Sequence, residues 1–340
     1  MDTNPLSDTL SENIDDFKET VSRGIGKIVV VLLLVYLVAI FCIAWYWSRE
    51  PDLLQIHSAP YPEVASNQVI GITTTQTLQD ITRVLLEKNG GYISNDLLPP
   101  GVLMDDMPNW EYGVLVQLRD FSKVLKETMG RAPAQLREDN DLVVAESRFR
   151  FDSHSWMVPA SESQYREGME HLQAYQDRLQ GNGTDNAAFV ANTENLNAWL
   201  VLVELRLNSL SQRLSASVGP RRLDNGGSSE VIKTPWMKVD DIFYEARGTT
   251  WALIPLLKAV QIDFAETLKQ KNATEQLQQI IVELEETQQP VRSPMILNGS
   301  GFGILTNHSL VMASYIARSR AEIADLRNVL ATPTNKPTLR

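Results

Sequence analysis

The chain has 340 residues, enough for two ordinary domains or one large helical body with a sizeable core. Its formal net charge of -11 at pH 7 excludes the usual duplex nucleic-acid binder, which turns a basic face to the phosphates. The single cysteine, Cys42, excludes an intrachain disulfide, so a body outside the cytoplasm would have to stand on its packing alone.

Residues 1–27 are polar and acidic, carry no targeting motif and show no sustained apolar face. They read as a mobile cytoplasmic tail with a helical turn around residues 11–22. Residues 28–47, IVVVLLLVYLVAIFCIAWYW, hold no charge, proline or glycine. A helix of that length spans roughly 30 Å, the thickness of a bilayer core. Trp45, Tyr46 and Trp47 close the run as an interfacial belt. The apolar stretch is too long for a signal-peptide core, and Ala-Trp-Tyr-Trp stands where small residues would be needed for cleavage. Phe41 before Cys42 likewise argues against lipoprotein processing, leaving Cys42 as a small apolar residue in lipid. Lys18, Arg23 and Lys27 precede the span, whereas Arg49 is the single basic residue between it and residue 68. Positive charge stays inside, so the body that follows is expected to be extracytoplasmic.

Residues 48–72 carry Pro51, Pro60 and Pro62 and suit an extended linker that lifts the body off the membrane. Thr73–Lys88 then predicts a helix with Leu78, Ile81 and Leu85 on one face, threonines capping its start and Gly90-Gly91 closing it. Residues 90–113 are broken by proline and glycine yet rich in large apolar side chains, which points to a segment packed on the body. Helical periodicity follows over 111–129, 141–151, 161–180, 186–217, 239–271, 274–288 and 307–330. In the longest of these, Phe189, Leu196, Leu200, Val203, Leu207, Leu210 and Leu214 form a seam that needs a partner helix. Trp199, Leu202 and Leu205 lie off the seam, so the helix is expected to be apolar on two faces and central. The run TTWALIPLLKAVQIDF, 249–264, contains Pro255, Lys258 and Asp263 and reads as a kinked core helix, not a second span. The Gly- and Pro-rich segment 216–235 either separates two helical subdomains or forms one long surface loop. The expected architecture is all-α: a tail (1–27), a transmembrane helix (28–47), a linker (48–72), a periplasmic helical domain (73–330) and a disordered C-terminal tail (331–340).

The stretches NGGYISNDLLPPG (89–101) and DDMPNWEYGVL (105–115), taken with the span, are similar to a family of proteobacterial membrane-anchored proteins catalogued as a domain of unknown function. The resemblance covers nearly the whole chain and implies a Gram-negative inner-membrane protein with a periplasmic body. It transfers no catalytic residue.

Candidate chemistry is sparse. His57, His154, His171 and His308 are scattered without metal-ligand spacing, and no ectodomain cysteine is present to supply a thiolate, so no metal or cofactor is expected. Asp105, Asp106 and Glu111 are the candidate catalytic carboxylates, in the manner of a glycosidase pair acting on cell-wall or lipid-linked glycan. Their competing role is helix capping, which also suits Asp240 and Asp241. The sequence NGSGFG places Gly299, Ser300, Gly301, Phe302 and Gly303 ahead of the last helix, but it matches neither G-x-S-x-G nor a nucleotide-binding glycine motif. It reads as a turn or a partner contact, and a periplasmic loop would have no nucleotide pool to hold. The sequons at Asn182, Asn272, Asn298 and Asn307 carry no meaning in a bacterial envelope. The leading expectation is therefore a binding or scaffolding protein with an envelope protein partner or self-association, and the rival a carboxylate enzyme.

Overall fold

The computed structural model describes residues 5–56, 69–131, 137–182, 187–216, 238–291, 296 and 307–332, with side chains of the first helix described from Gly26 onward. Ten α-helices follow one another, and no strand occurs among the described residues. α1 (Pro5–Trp47) is one 43-residue helix. The expectation of a tail with a single helical turn is thus corrected. The long apolar helical stretch supplies the costly nucleus, and the proline-free stretch before it adds turns without a second nucleation. Gly26–Trp47 is long and apolar enough to cross a membrane, and its apolar stretch has no buried residue, although Trp47 at its end packs on the body.

The body is built from α2 (Ile72–Glu87), α3 (Asp106–Val124), α4 (Asn140–Phe149), α5 (Ser161–Leu179), α6 (Thr193–Ser215), α7 (Val239–Asp263), α8 (Ala265–Gln270), α9 (Thr274–Glu285) and α10 (His308–Ala331). α7 is the axis: it packs along α3 and also meets α2, α6, α9 and α10, while α4 pairs with α5 and α6 with α10. Residues Trp251 to Leu257, Pro255 included, are buried. This burial accounts for so apolar a run and agrees with its reading as a core helix. α3 and α7 cross at two glycines. A Cβ at Gly248 would collide with the carbonyl oxygen of Trp110, and one at Gly113 with that of Glu245. Close approach brings the Trp110 and Trp251 rings to 5.0 Å between centroids. One cluster of buried apolar residues runs from Leu78 to Leu330, so the described helices share a single core. Residues 217–237, most of the expected break, lie outside the described residues.

Several boundaries differ from the periodicity for physical reasons. α6 begins at Thr193, not 186, because Asn192 accepts from the Asn195 amide at 2.8 Å and caps it. Phe189 therefore leaves the helical seam and packs on Phe264, ring centroids 5.8 Å apart. The rest of the seam, Leu196 to Leu214, is buried, and α10 is the helix it packs against most. Trp199 is buried on Phe121, but Leu205 faces solvent, so α6 flanks the bundle and does not form its centre. The 239–271 helix breaks at Phe264, the residue between α7 and α8. The freed Asp263 carboxylate accepts from the Thr74 amide at 2.7 Å and the Thr74 hydroxyl at 2.5 Å. α2 is thus capped from another helix. Gly71 occupies its N-cap position without a side-chain cap, and Thr75 and Thr77 donate back to the carbonyls of Gly71 and Thr73.

Candidate functional site

A clasp lies just past the apolar helix. Residues 48–56 were expected to start a spacer, yet they are fastened to the body. Trp47 packs against Gly90, where a Cβ would stand 2.7 Å from the indole. Glu50 is gripped by Arg247 of α7: Nε donates to Oε1 at 2.7 Å and Nη2 to Oε2 at 2.5 Å. Nη1 of Arg247 donates to the carbonyls of Thr287 and Gln289 at 3.0 and 2.9 Å. The Trp251 indole N–H reaches the carbonyls of Pro51 and Asp52 at 3.0 and 3.2 Å. Leu53 and Leu54 pack on the core. A buried arginine requires an anion within reach, so Arg247 next to the apolar run of α7 was the sequence signal for this clasp. Its partner, nearly two hundred residues away, left no periodic trace. Beside the clasp, Arg49 stacks over Trp45 at 4.2 Å and lines a shallow groove of about 320 Å³ with Pro51, Arg83, Val84, Glu87, Lys88 and Asn89.

A cleft of about 380 Å³ opens at the N-terminus of α3, lined by Tyr92, Ser94, Asp105, Pro108, Asn109, Tyr112, Ser153, His154 and Asp241. Asp105 caps α3 by accepting from the Asp106 amide at 3.1 Å. Asn109 ties this corner to α7, donating to the Asp105 carbonyl at 2.9 Å and the Asp241 carboxylate at 3.0 Å. Asp106 does not line the cleft. Burial, reinforced by Asp105, Asp240, Asp241 and Glu50, pushes its carboxyl up from 3.8 to about 7. Burial and Asp240 raise Asp241 as well. His154 is exposed on the rim, its Nδ1 3.1 Å from the Ser153 hydroxyl.

Glu111 is elsewhere. Its side chain is fully buried, 2.6 Å from the Lys88 ammonium, and it accepts from the Ile93 and Ser94 amides at 2.8 Å and the Ser94 hydroxyl at 2.5 Å. It ties the turn after α2 to α3 with every lone-pair direction engaged. Of the three candidate carboxylates, Asp105 lines the cleft, Asp106 stands behind it among acids, and Glu111 holds the scaffold beneath. Gly299, Ser300, Gly301, Phe302 and Gly303 lie outside the described residues. The helix after them is described: Asn307 caps α10 by accepting from the Leu310 amide at 2.8 Å, and burial lowers His308 from its ordinary value. Among the described residues, no group of three or more His, Cys, Asp and Glu side chains is arranged to hold a metal ion.

A family model described as an uncharacterized protein conserved in bacteria, DUF2333, matches residues 20–333. The chain belongs to that family. The match takes in the apolar part of α1, the clasp and the cleft, so the DUF2333 unit includes that helix together with the body. No curated protein and no solved structure matches the chain.

Proposed function

We propose that this DUF2333 member is a single-pass binding or scaffolding protein of the cell envelope, with its body held directly at the outer face of the inner membrane. The observation that carries the reading is the clasp. An enzyme acting at a distance would need a spacer, whereas the residues after Trp47 turn straight onto α7 through Glu50, Pro51 and Asp52. The bias of Lys18, Arg23 and Lys27 over Arg49 supports an extracytoplasmic body. Reporter fusions to the C-terminus test that side: activity of a periplasmic reporter is expected, and activity of a cytoplasmic one alone overturns it. Crosslinking in intact membranes followed by affinity purification tests the binding role. A stoichiometric envelope protein, or a second copy, is expected; recovery of uncrosslinked monomer alone removes the proposal.

A second reading rests on the cleft. Asp106, at about 7, sits in the range where a carboxylic acid can give a proton near neutral pH, one residue from Asp105 on the cleft wall. This supports a carboxylate enzyme acting on cell-wall or lipid-linked glycan. Asp105→Ala and Asp106→Ala would then abolish function while the protein stays folded, and wild-type function in both variants would eliminate this reading.

A further inference from the structure

Two loops of the body expose apolar side chains in a way that folding alone does not require. Residues 97–104 read LLPPGVLM and residues 155–160 read SWMVPA, without a charge in either. Leu98 is 76% exposed, Leu103 71%, and Trp156, Met157 and Val158 are exposed as well. Among the described residues outside the span, Val69 and Ile70 form one further exposed pair ahead of α2, while Leu205, Val282 and Val311 sit singly on helices. Isolated ones are ordinary, whereas a contiguous group marks a contact surface.

The loops adjoin one another on a stiff frame. The Tyr92 hydroxyl donates to the Ser153 carbonyl at 3.0 Å, and the Asn95 amide donates at 2.8 Å both to the Ser155 carbonyl and to Glu162. Ser161 closes the second loop onto the Asp152 and Ser155 carbonyls at 2.7 and 3.1 Å. Polar groups are satisfied at the base while the apolar tips project. That inverts the usual order of burial.

Their position names the occupant. The stretch that carries the first loop starts beside the point where the chain leaves the span. Gly90 touches Trp47, and Asp106 lies in the electrostatic field of Glu50. Eight chain steps lead from Gly90 to Leu98, so the chain can carry that tip at most about 29 Å from the Trp47 contact. We propose that loops 97–104 and 155–160 form a second, shallow membrane contact, their tips inserted among the headgroups and upper acyl chains beside the span. Interfacial elements of this kind sink by about 5–10 Å. The loops are bordered by Asp96, Asp105 and Asp152, not by lysines or arginines. The contact is therefore apolar, independent of anionic lipid and insensitive to salt.

The inference rests on residues 26–47 being a span, and one experiment separates the two. The full chain, with Cys42→Ala and either Leu98→Cys or Val158→Cys, is labelled with an environment-sensitive dye and reconstituted in phosphatidylcholine vesicles containing spin-labelled lipid. Loop labels are expected to shift to the blue and lose emission about two-fold, at low and high salt alike, as interfacial insertion demands. A label at Gln173→Cys, exposed on α5, is expected to stay unquenched. Labels at 98 and 158 that respond to aqueous iodide and not to spin-labelled lipid overturn the loop contact. Shielding in native membranes but not in pure lipid also overturns it, assigning the surface to a protein. Dye on the native Cys42 reports the span: unquenched Cys42 overturns span and loops together, whereas quenched Cys42 with water-exposed loops overturns the loops alone.

Discussion

The clasp and the cleft stand side by side and treat carboxylates in opposite ways. In the clasp region each acid has its own cation, half-buried Glu50 with Arg247 and buried Glu111 with Lys88. At the cleft, Asp105, Asp106, Asp240 and Asp241 crowd one another, and the repulsion adds to burial in lifting Asp106 and Asp241. Paired acids hold a geometry fixed. Crowded acids cost stability, and a fold keeps them for a use beyond holding itself together or tolerates them at an open rim where water can relieve them.

The largest effect should come from the deepest pair. Lys88→Met leaves the Glu111 charge buried without its cation, and a loss of about 3–5 kcal/mol is expected from a denaturant melt of the detergent-solubilised chain. Adding Glu111→Leu should recover part of it, and a double variant no better than the single would show that the amide bonds to Glu111 matter more than the ion pair. Next in size is Arg247→Met, which strips Glu50 of its partner and the Thr287 and Gln289 carbonyls of their donors. About 2–3 kcal/mol is expected, with faster protease cleavage within residues 48–56. Unchanged cleavage would mean that Trp47 and Trp251 hold the segment without the ion pair.

A smaller loss, about 1–2 kcal/mol, is expected for Asp263→Ala, which removes the cap that α7 supplies to α2. The smallest effect has the opposite sign. The unfolded Asp106 carboxyl ionises near 3.8 and the folded one near 7, so between those values the folded state holds the extra proton. Stability falls as pH rises through that window, and the loss is complete above it. Asp106→Asn removes the penalty: melts should coincide near pH 4, and the variant should gain about 1 kcal/mol near pH 8, discounted for the partial exposure of the site. A gain of equal size at both pH values would trace the effect to packing, not charge.

The long apolar first helix, the helical class and most helices could be read from the sequence because each rests on local patterns: a charge-free run, a 3.6-residue repeat, a cap. The heart of α7 was readable for the same reason, since Lys258 and Asp263 marked it as soluble despite its apolar run. What escaped depends on pairs far apart in the chain. Asp263 capping α2 needed knowledge of where α7 ends, and the threonines of α2 offered a nearer but mistaken candidate. Phe189 has the right spacing for the α6 seam, yet Asn192 starts the helix after it. At the cleft, the adjacency of Asp105 and Asp106 was visible, but Asp240 and Asp241 joining them was not. Glu111 looked like a third member until its bonds to Lys88 and the 93–94 amides assigned it to the scaffold.

The clasp also has a mechanical side. α1 runs without a proline from its second residue to Trp47, and three residues later Glu50 is bolted to the central helix of the body. No swivel separates the two. In the proposed membrane-anchored state, whatever angle α1 adopts about its own axis the body must adopt as well, so the direction in which the cleft faces would be set by the lipid-facing side chains of a helix that does not line it.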